Sequence, residues 1–79
     1  MTAIEKVNEI LIRIGQTDSV DINMSLKDDL AIDSLRLVEL ISEIEDTFEI
    51  LLEMNDLDPA NLNTVSDIYK LIQKYVYGT

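Results

Sequence analysis

Ile4, Val7, Leu11 and Ile14 recur at helical intervals near the start of the chain, the repeat that lays one face of an α-helix on a core. Thr2 and Glu5 stand at capping-box spacing and Gly15 supplies a stop, which predicts a helix over about residues 3–14. Ile10 and Ile12 widen its apolar surface, and Glu5, Lys6, Asn8, Glu9 and Arg13 fall mainly outside. A second stripe, Leu37, Leu40, Ile41, Ile44 and Phe48, predicts a helix over about 34–48, with Leu35, Val38, Glu39, Ser42 and Asp46 on or toward its other side. Beyond it the run Ile50-Leu51-Leu52 has no Gly or Pro stop. Only Leu51 keeps to the stripe, so the helix is expected to end between Phe48 and Ile50. The last stripe, Val65, Ile68, Tyr69, Ile72, Tyr75 and Val76, follows Thr64 as a cap and carries Lys70 and Lys74 toward the negative end of the helix dipole.

Two connections remain. Between the first two helices Val20, Ile22, Met24 and Leu26 alternate with Asp21, Asn23 and Ser25, a period of two that speaks for a strand. No second strand offers a partner, so the segment reads as an extended loop resting alternate side chains on the bundle, with Leu30 and Ile32 completing the seal. Asp58-Pro59 reads as a cap with proline at the first helical position, opening a short helix through about Leu62. The pattern therefore predicts an all-α, small four-helix bundle: three main helices plus one short helix, with a long loop between helices one and two, in one domain over residues 1–79. Tyr69, Tyr75 and Tyr77 read as core or rim aromatics.

Composition narrows the chemistry. Six Lys and Arg against sixteen Asp and Glu leave a net charge of −10, which repels nucleic acid and anionic membrane surfaces and favours basic partners. Eleven of the acids lie between Asp28 and Asp58, against the single base Arg36. With no Cys and no His there is no disulfide, no thiolate ligand and no Ser-His-Asp arrangement within the chain. Apolar residues make up 47% with only two Gly and one Pro, enough for a core, although a chain this short buries only roughly 60% of its unfolded surface. No apolar run reaches membrane-spanning length and the N-terminus lacks a basic region before one. A soluble, cytoplasmic monomer without membrane insertion is the expectation.

Asp33 caps the second helix, and Ser34 falls at its first helical position with the hydroxyl outward. Leu35 and Val38 lie beside it within a ring of carboxylates, a small apolar patch of the kind used for docking. By itself an Asp-Ser before an apolar run is an ordinary helix start. Here Asp33-Ser34-Leu35 is followed by Val38-Glu39-Leu40 and Phe48, and Thr64-Val65 opens the last helix. In these residues the sequence resembles the acyl carrier proteins, whose signature is Asp-Ser-Leu at the start of the second helix of a small acidic bundle.

The resemblance implies that Ser34 carries 4′-phosphopantetheine, moved there from coenzyme A by a phosphopantetheinyl transferase, and that the chain is not itself an enzyme. It would hold acyl groups as thioesters for acyl-loading, acyl-modifying or acyl-transfer enzymes with basic docking surfaces, in fatty-acid, lipid or natural-product biosynthesis. A phosphodiester at a helix N-terminus is favoured by free amides and the dipole, partly offset by Asp33. Asp33, Glu39, Glu45 and Asp46 would steer such partners, and Leu35 and Val38 would make the apolar contact. Glu43 and Glu49 fit a solvated face equally well. The acyl chain would slip between helices two and three, lined by residues such as Leu40, Ile44 and Leu57.

The chain also departs from the family. Ala31 stands where Gly is usual, Arg36 where fatty-acid carriers have an acid, and the stretch from Phe48 to Thr64 is slightly longer than usual. These leave a carrier role intact and weigh against the ordinary fatty-acid pathway; Arg36 is expected to select partners by repelling the basic patch of fatty-acid enzymes. Two other readings stay open: an unmodified acidic helical adaptor, and a calcium-binding module with Asp56, Asp58 and Asp67 at loop positions 1, 3 and 12. The calcium fit is poor, since Ala60 offers no side-chain oxygen and Asn61 replaces the turn glycine.

Overall fold

The computed structural model describes residues 2–76, apart from the side chains at positions 54 and 59. Helix α1 spans Ala3–Gly15, α2 Ser34–Phe48 and α3 Val65–Val76, with 3₁₀ turns at Met54–Leu57 and Pro59–Asn61. α1 is the central helix, packing against both α2 and α3. Arg13 pairs with Glu43 to bind α1 to α2, and the Tyr69 hydroxyl donates to Asn8 Oδ1 to bind α3 to α1. Tyr77 lies outside the described residues.

The helix faces follow the period-3.6 stripes. Val7, Ile10, Leu11 and Ile14 are buried from α1, Leu40, Ile41 and Ile44 from α2, and Val65, Ile68, Leu71 and Ile72 from α3. Leu37, Phe48, Tyr69, Tyr75 and Val76 pack at the edge of this cluster. The core is aliphatic, and among the described residues no polar side chain is buried within it.

At the helix ends the outcome differs from the sequence reading in several places. Thr2 Oγ1 accepts from Glu5 N at 3.2 Å as the cap spacing predicts. At the other end Gly15 remains helical and the left-handed residue is Gln16, φ 53°, whose N–H bonds Ile12 O. Glycine serves close packing here: a Cβ at position 15 would stand 3.2 Å from Leu30 Cβ. α2 turns left-handed at Glu49, φ 54°. This reverses the phase of the following residues, so that Leu51, expected near the core, is 86% exposed while Leu52 is buried. The expected fourth helix is a 3₁₀ turn over Pro59–Asn61, entered through Asp58 Oδ1 accepting from Ala60 N at 2.9 Å.

The alternating segment finds a partner that periodicity did not reveal. Ser25 forms an isolated antiparallel bridge with Thr64. Leu26 N donates to Asn63 O at 2.9 Å, Val65 N to Met24 O at 3.0 Å and Ser66 N to Ile22 O at 3.0 Å. The carbonyls of Met24 and Ile22 thereby satisfy amides in the first turn of α3, which have no acceptor within the helix. Thr64 and Asp67 complete that end: Asp67 Oδ2 accepts from the amides of Asn63 and Thr64 at 2.9 and 3.1 Å, and Thr64 Oγ1 accepts from Asp67 N at 3.3 Å. Leu26, Leu30 and Ile32 are buried and Val20 and Met24 partly so, whereas Ile22 is 49% exposed and does not join the seal.

Candidate functional site

The residues before α2 form a hydrogen-bonded turn that delivers Ser34 to the surface. Ser25 Oγ accepts from Asp28 N at 3.1 Å, Asp29 Oδ2 accepts from Ser25 N at 2.7 Å, and Ile32 N reaches Leu26 O at 2.8 Å. Burial of Leu30 and Ile32 anchors the turn on both sides of Ala31, which is forced to φ 53°. That left-handed conformation suits glycine and costs an alanine about 1 kcal/mol. It explains physically why glycine would be the natural residue there.

Asp33 then caps α2, its Oδ1 accepting from Arg36 N at 2.9 Å. Ser34 opens the helix and is exposed. Leu35 is 79% and Val38 64% exposed, large values for aliphatic side chains on a helix whose opposite face is sealed. Glu39 and Asp46 are exposed as the wheel predicts, and the capping Asp33 is exposed beside them. Glu45 is only half-exposed, because its Oε2 accepts from Leu52 N at 3.0 Å and holds the chain leaving α2. Arg36 is half-buried, its guanidinium donating to Ile14 O at 2.7 Å. It therefore ties the start of α2 to the last turn of α1, where a cation is favoured by the dipole. Helical periodicity carries no signal of that contact, which depends on how α1 and α2 dock.

An open groove of about 480 Å³ lies against Ser34, bounded by Ser25–Asp28, Ile32, Asp33, Leu37, Leu62 and Asn63. By contrast, Leu40 and Ile44, two of the residues expected to line an acyl path, are fully enclosed in the core and Leu57 packs against it. A second hollow, lined by Arg13, Ile14, Gln16, Leu35, Arg36, Glu39 and Glu43, flanks Leu35 on the α1 side. The exposed hydroxyl, the helix N-terminus behind it and the groove beside it fit a covalently attached phosphate-bearing arm.

The proposed calcium ligands are occupied otherwise. Asp56 receives Lys74 Nζ at 3.0 Å and the Tyr75 hydroxyl, which in turn accepts from Glu53 N at 2.9 Å. The Tyr75 hydroxyl, then Lys74, hold the Asp56 carboxyl below its ordinary value. The same contacts raise Tyr75 and Lys74. Asp67 is lowered by the Asn63 and Thr64 amides that it accepts. Among the described residues no group of three or more Asp or Glu side chains could hold a metal ion. No described helix is long and apolar enough to cross a membrane.

Comparison with known proteins places this geometry. Residues 4–72 match the family described as phosphopantetheine attachment site. An acyl carrier protein of Exiguobacterium sibiricum is 40% identical over 65 residues, covering 81% of this chain and 80% of that protein. A solved structure of a putative acyl carrier protein from Mycobacterium tuberculosis superposes with a TM-score of 0.80 at 39% identity, covering 90% of this chain and 95% of the other.

Proposed function

The chain belongs to the acyl carrier proteins, the phosphopantetheine attachment family, and on that premise we propose that Ser34 is the residue bearing its 4′-phosphopantetheine. The observation that carries this is the pairing of an exposed hydroxyl at the first position of α2 with the Asp33 cap behind it. Asp33 fixes the backbone at the start of α2, so Ser34 is presented at the surface from a capped helix end. A transferase can then bring the phosphorus of coenzyme A to Ser34 Oγ. The new P–O bond forms as the pyrophosphate bond breaks, adenosine bisphosphate leaves, and the hydroxyl proton passes to the transferase or to solvent.

The bound arm supplies the thiol that a chain without cysteine lacks, and acyl groups ride on it as thioesters. The protein's own residues supply address and proximity. Carriage on a tether raises the local concentration of cargo at a docked enzyme's site into the millimolar range or above, roughly. Asp33, Glu39 and Asp46 steer basic surfaces, and Leu35 and Val38 make the apolar contact once docked. Glu45 adds charge at the far end of the same helix while bracing Leu52. Arg36 places one fixed positive charge beside Leu35, held by Ile14 O, so partners whose basic patch falls there are disfavoured. The family implies acyl-handling enzymes and a phosphopantetheinyl transferase as partners; a specialised role outside the ordinary fatty-acid pathway fits the departures at Ala31 and Arg36.

The test is intact-mass spectrometry after incubation with a broad-specificity transferase, coenzyme A and magnesium. The wild-type chain is expected to gain one phosphopantetheine mass, located on Ser34 by fragmentation. Ser34→Ala should gain none while keeping the wild-type melting temperature, because the side chain is exposed. Loading of the alanine variant, or no loading of the folded wild type by an active transferase, rejects the assignment.

A further inference from the structure

Ser34 does not sit at the crest of the surface; it forms part of the wall of the 480 Å³ groove between the 25–28 turn, the start of α2 and Leu62-Asn63. Grooves of roughly 300–1,000 Å³ are the size in which small ligands are held. Its walls are mixed. Ile32, Leu37 and Leu62 offer apolar surface; the Ser25 hydroxyl, which accepts from Asp28 N, keeps its proton to donate, and the Asn63 amide, whose Nδ2 donates to Ala60 O, keeps its oxygen to accept. Pantetheine is mixed in the same way, with a branched apolar segment followed by two amides.

The charges in the groove are less obviously suited to it. Asp28 and Asp33 both line it, and a phosphodiester on Ser34 would face two carboxylates. Lys27 is the one cation among the lining residues. It is exposed, and it takes no part in the Arg13–Glu43 or Lys74–Asp56 ion pairs. A lysine stem can lie along apolar surface while its ammonium reaches a neighbouring anion.

Resting on the assignment of Ser34, we infer that this groove is the resting track of the tethered arm, and that Lys27 is a positioning residue whose ammonium counters the phosphodiester against Asp28 and Asp33. Because the occupant is covalently attached at the groove's own wall, contacts too weak to bind free pantetheine suffice to hold it. The arm then leaves the groove when a partner docks, and Lys27 sets how readily it leaves.

The experiment compares amide NMR spectra of the unloaded and loaded forms of wild type, Lys27→Arg, Lys27→Gln and Lys27→Glu. Complete loading is first established by intact mass, so a failure of Ser34 as attachment point is seen separately. In wild type and Lys27→Arg, loading is expected to shift the amides of Lys27, Leu37, Leu62 and Asn63 as well as those next to Ser34. In Lys27→Gln, and more so in Lys27→Glu, the shifts at Leu62 and Asn63 should fall by at least about half, and molar salt should reduce them in wild type by screening. Shifts confined to Ser34 and its immediate neighbours in wild type would overturn the track. Equal shifts at Leu62 and Asn63 in all four proteins would overturn the role of Lys27.

Discussion

At the start of α2 the ties are made by Asp33 to the Arg36 amide and by the Arg36 side chain to Ile14 O, and the outward side chains of Ser34, Leu35 and Val38 stay bare. At its end the chain beyond Glu49 is drawn in from both sides. Glu45 holds the Leu52 amide, Tyr75 holds the Glu53 amide, and Lys74 and Tyr75 hold Asp56. Both ends are fixed, but one is fixed from behind and the other is closed over. A surface read by other proteins needs the first kind of support, because each tie made from the front would occupy an atom that a partner must reach.

The sharpest way to break that contrast is to truncate a leucine at each end. Leu52 is 8% exposed; Leu52→Ala is expected to lower unfolding free energy by about 2–4 kcal/mol in urea denaturation. Leu35 is 79% exposed, and Leu35→Asp should change stability by no more than about 0.5 kcal/mol. The order reverses for transfer. Leu35→Asp is expected to lower transferase kcat/KM about tenfold through the lost apolar contact, with Leu52→Ala near wild type at a temperature where it is folded. Equal stability losses would mean that the start of α2 is as much part of the packing as its end.

That division was half legible in the sequence. The inward stripe of α2 and the bare Leu35 and Val38 follow from helical period alone, and the Asp33 cap from residue type. The end of the helix did not, because extrapolating the stripe past Phe48 assumes a continuing helix. The left-handed Glu49 exchanged the fates of Leu51 and Leu52. Long-range ties were hidden for a related reason: Arg36 to Ile14, and Ile22 and Met24 to the first turn of α3, depend on how elements far apart in the chain are docked. Gly15 carried the opposite lesson. It marked a close approach to Leu30 rather than the turn that follows.

A smaller effect sharpens the account of the open end. Ala31 holds φ 53° between the buried Leu30 and Ile32, so the delivery of Ser34 includes one strained residue. Ala31→Gly relieves the Cβ clash but loosens the unfolded chain. The balance favours the folded state by about 0.5–1 kcal/mol, a rise in Tm of about 2–8 °C. Differential scanning calorimetry reads it, and the extent of loading on Ser34 should be unchanged. A fall in Tm would show that the turn accommodates alanine without strain.

The smallest effect belongs to the closed end and is read from the acid limb of the stability curve. The Asp56 carboxyl, held down by the Tyr75 hydroxyl and by Lys74, has a folded value below the ordinary 3.8. A carboxyl whose folded value is depressed contributes stability in full above its unfolded value and loses it as pH falls through the folded one. Asp67, lowered by the Asn63 and Thr64 amides, adds a loss of the same sign. Tyr75 and Lys74 are raised, so their contributions are whole below 10.0 and 10.5 and disappear as pH climbs through the higher folded values. Asp56→Asn should therefore flatten the acid limb of stability, measured by urea unfolding from about pH 5 to about pH 2. Removing one negative charge from a chain at −10 also relieves general repulsion, which would favour any such variant near neutral pH. Asp46→Asn at an exposed site removes the same charge without touching the cluster. If Asp46→Asn flattens the acid limb as much as Asp56→Asn, the effect is repulsion alone and the closed end owes nothing to the Asp56 carboxylate.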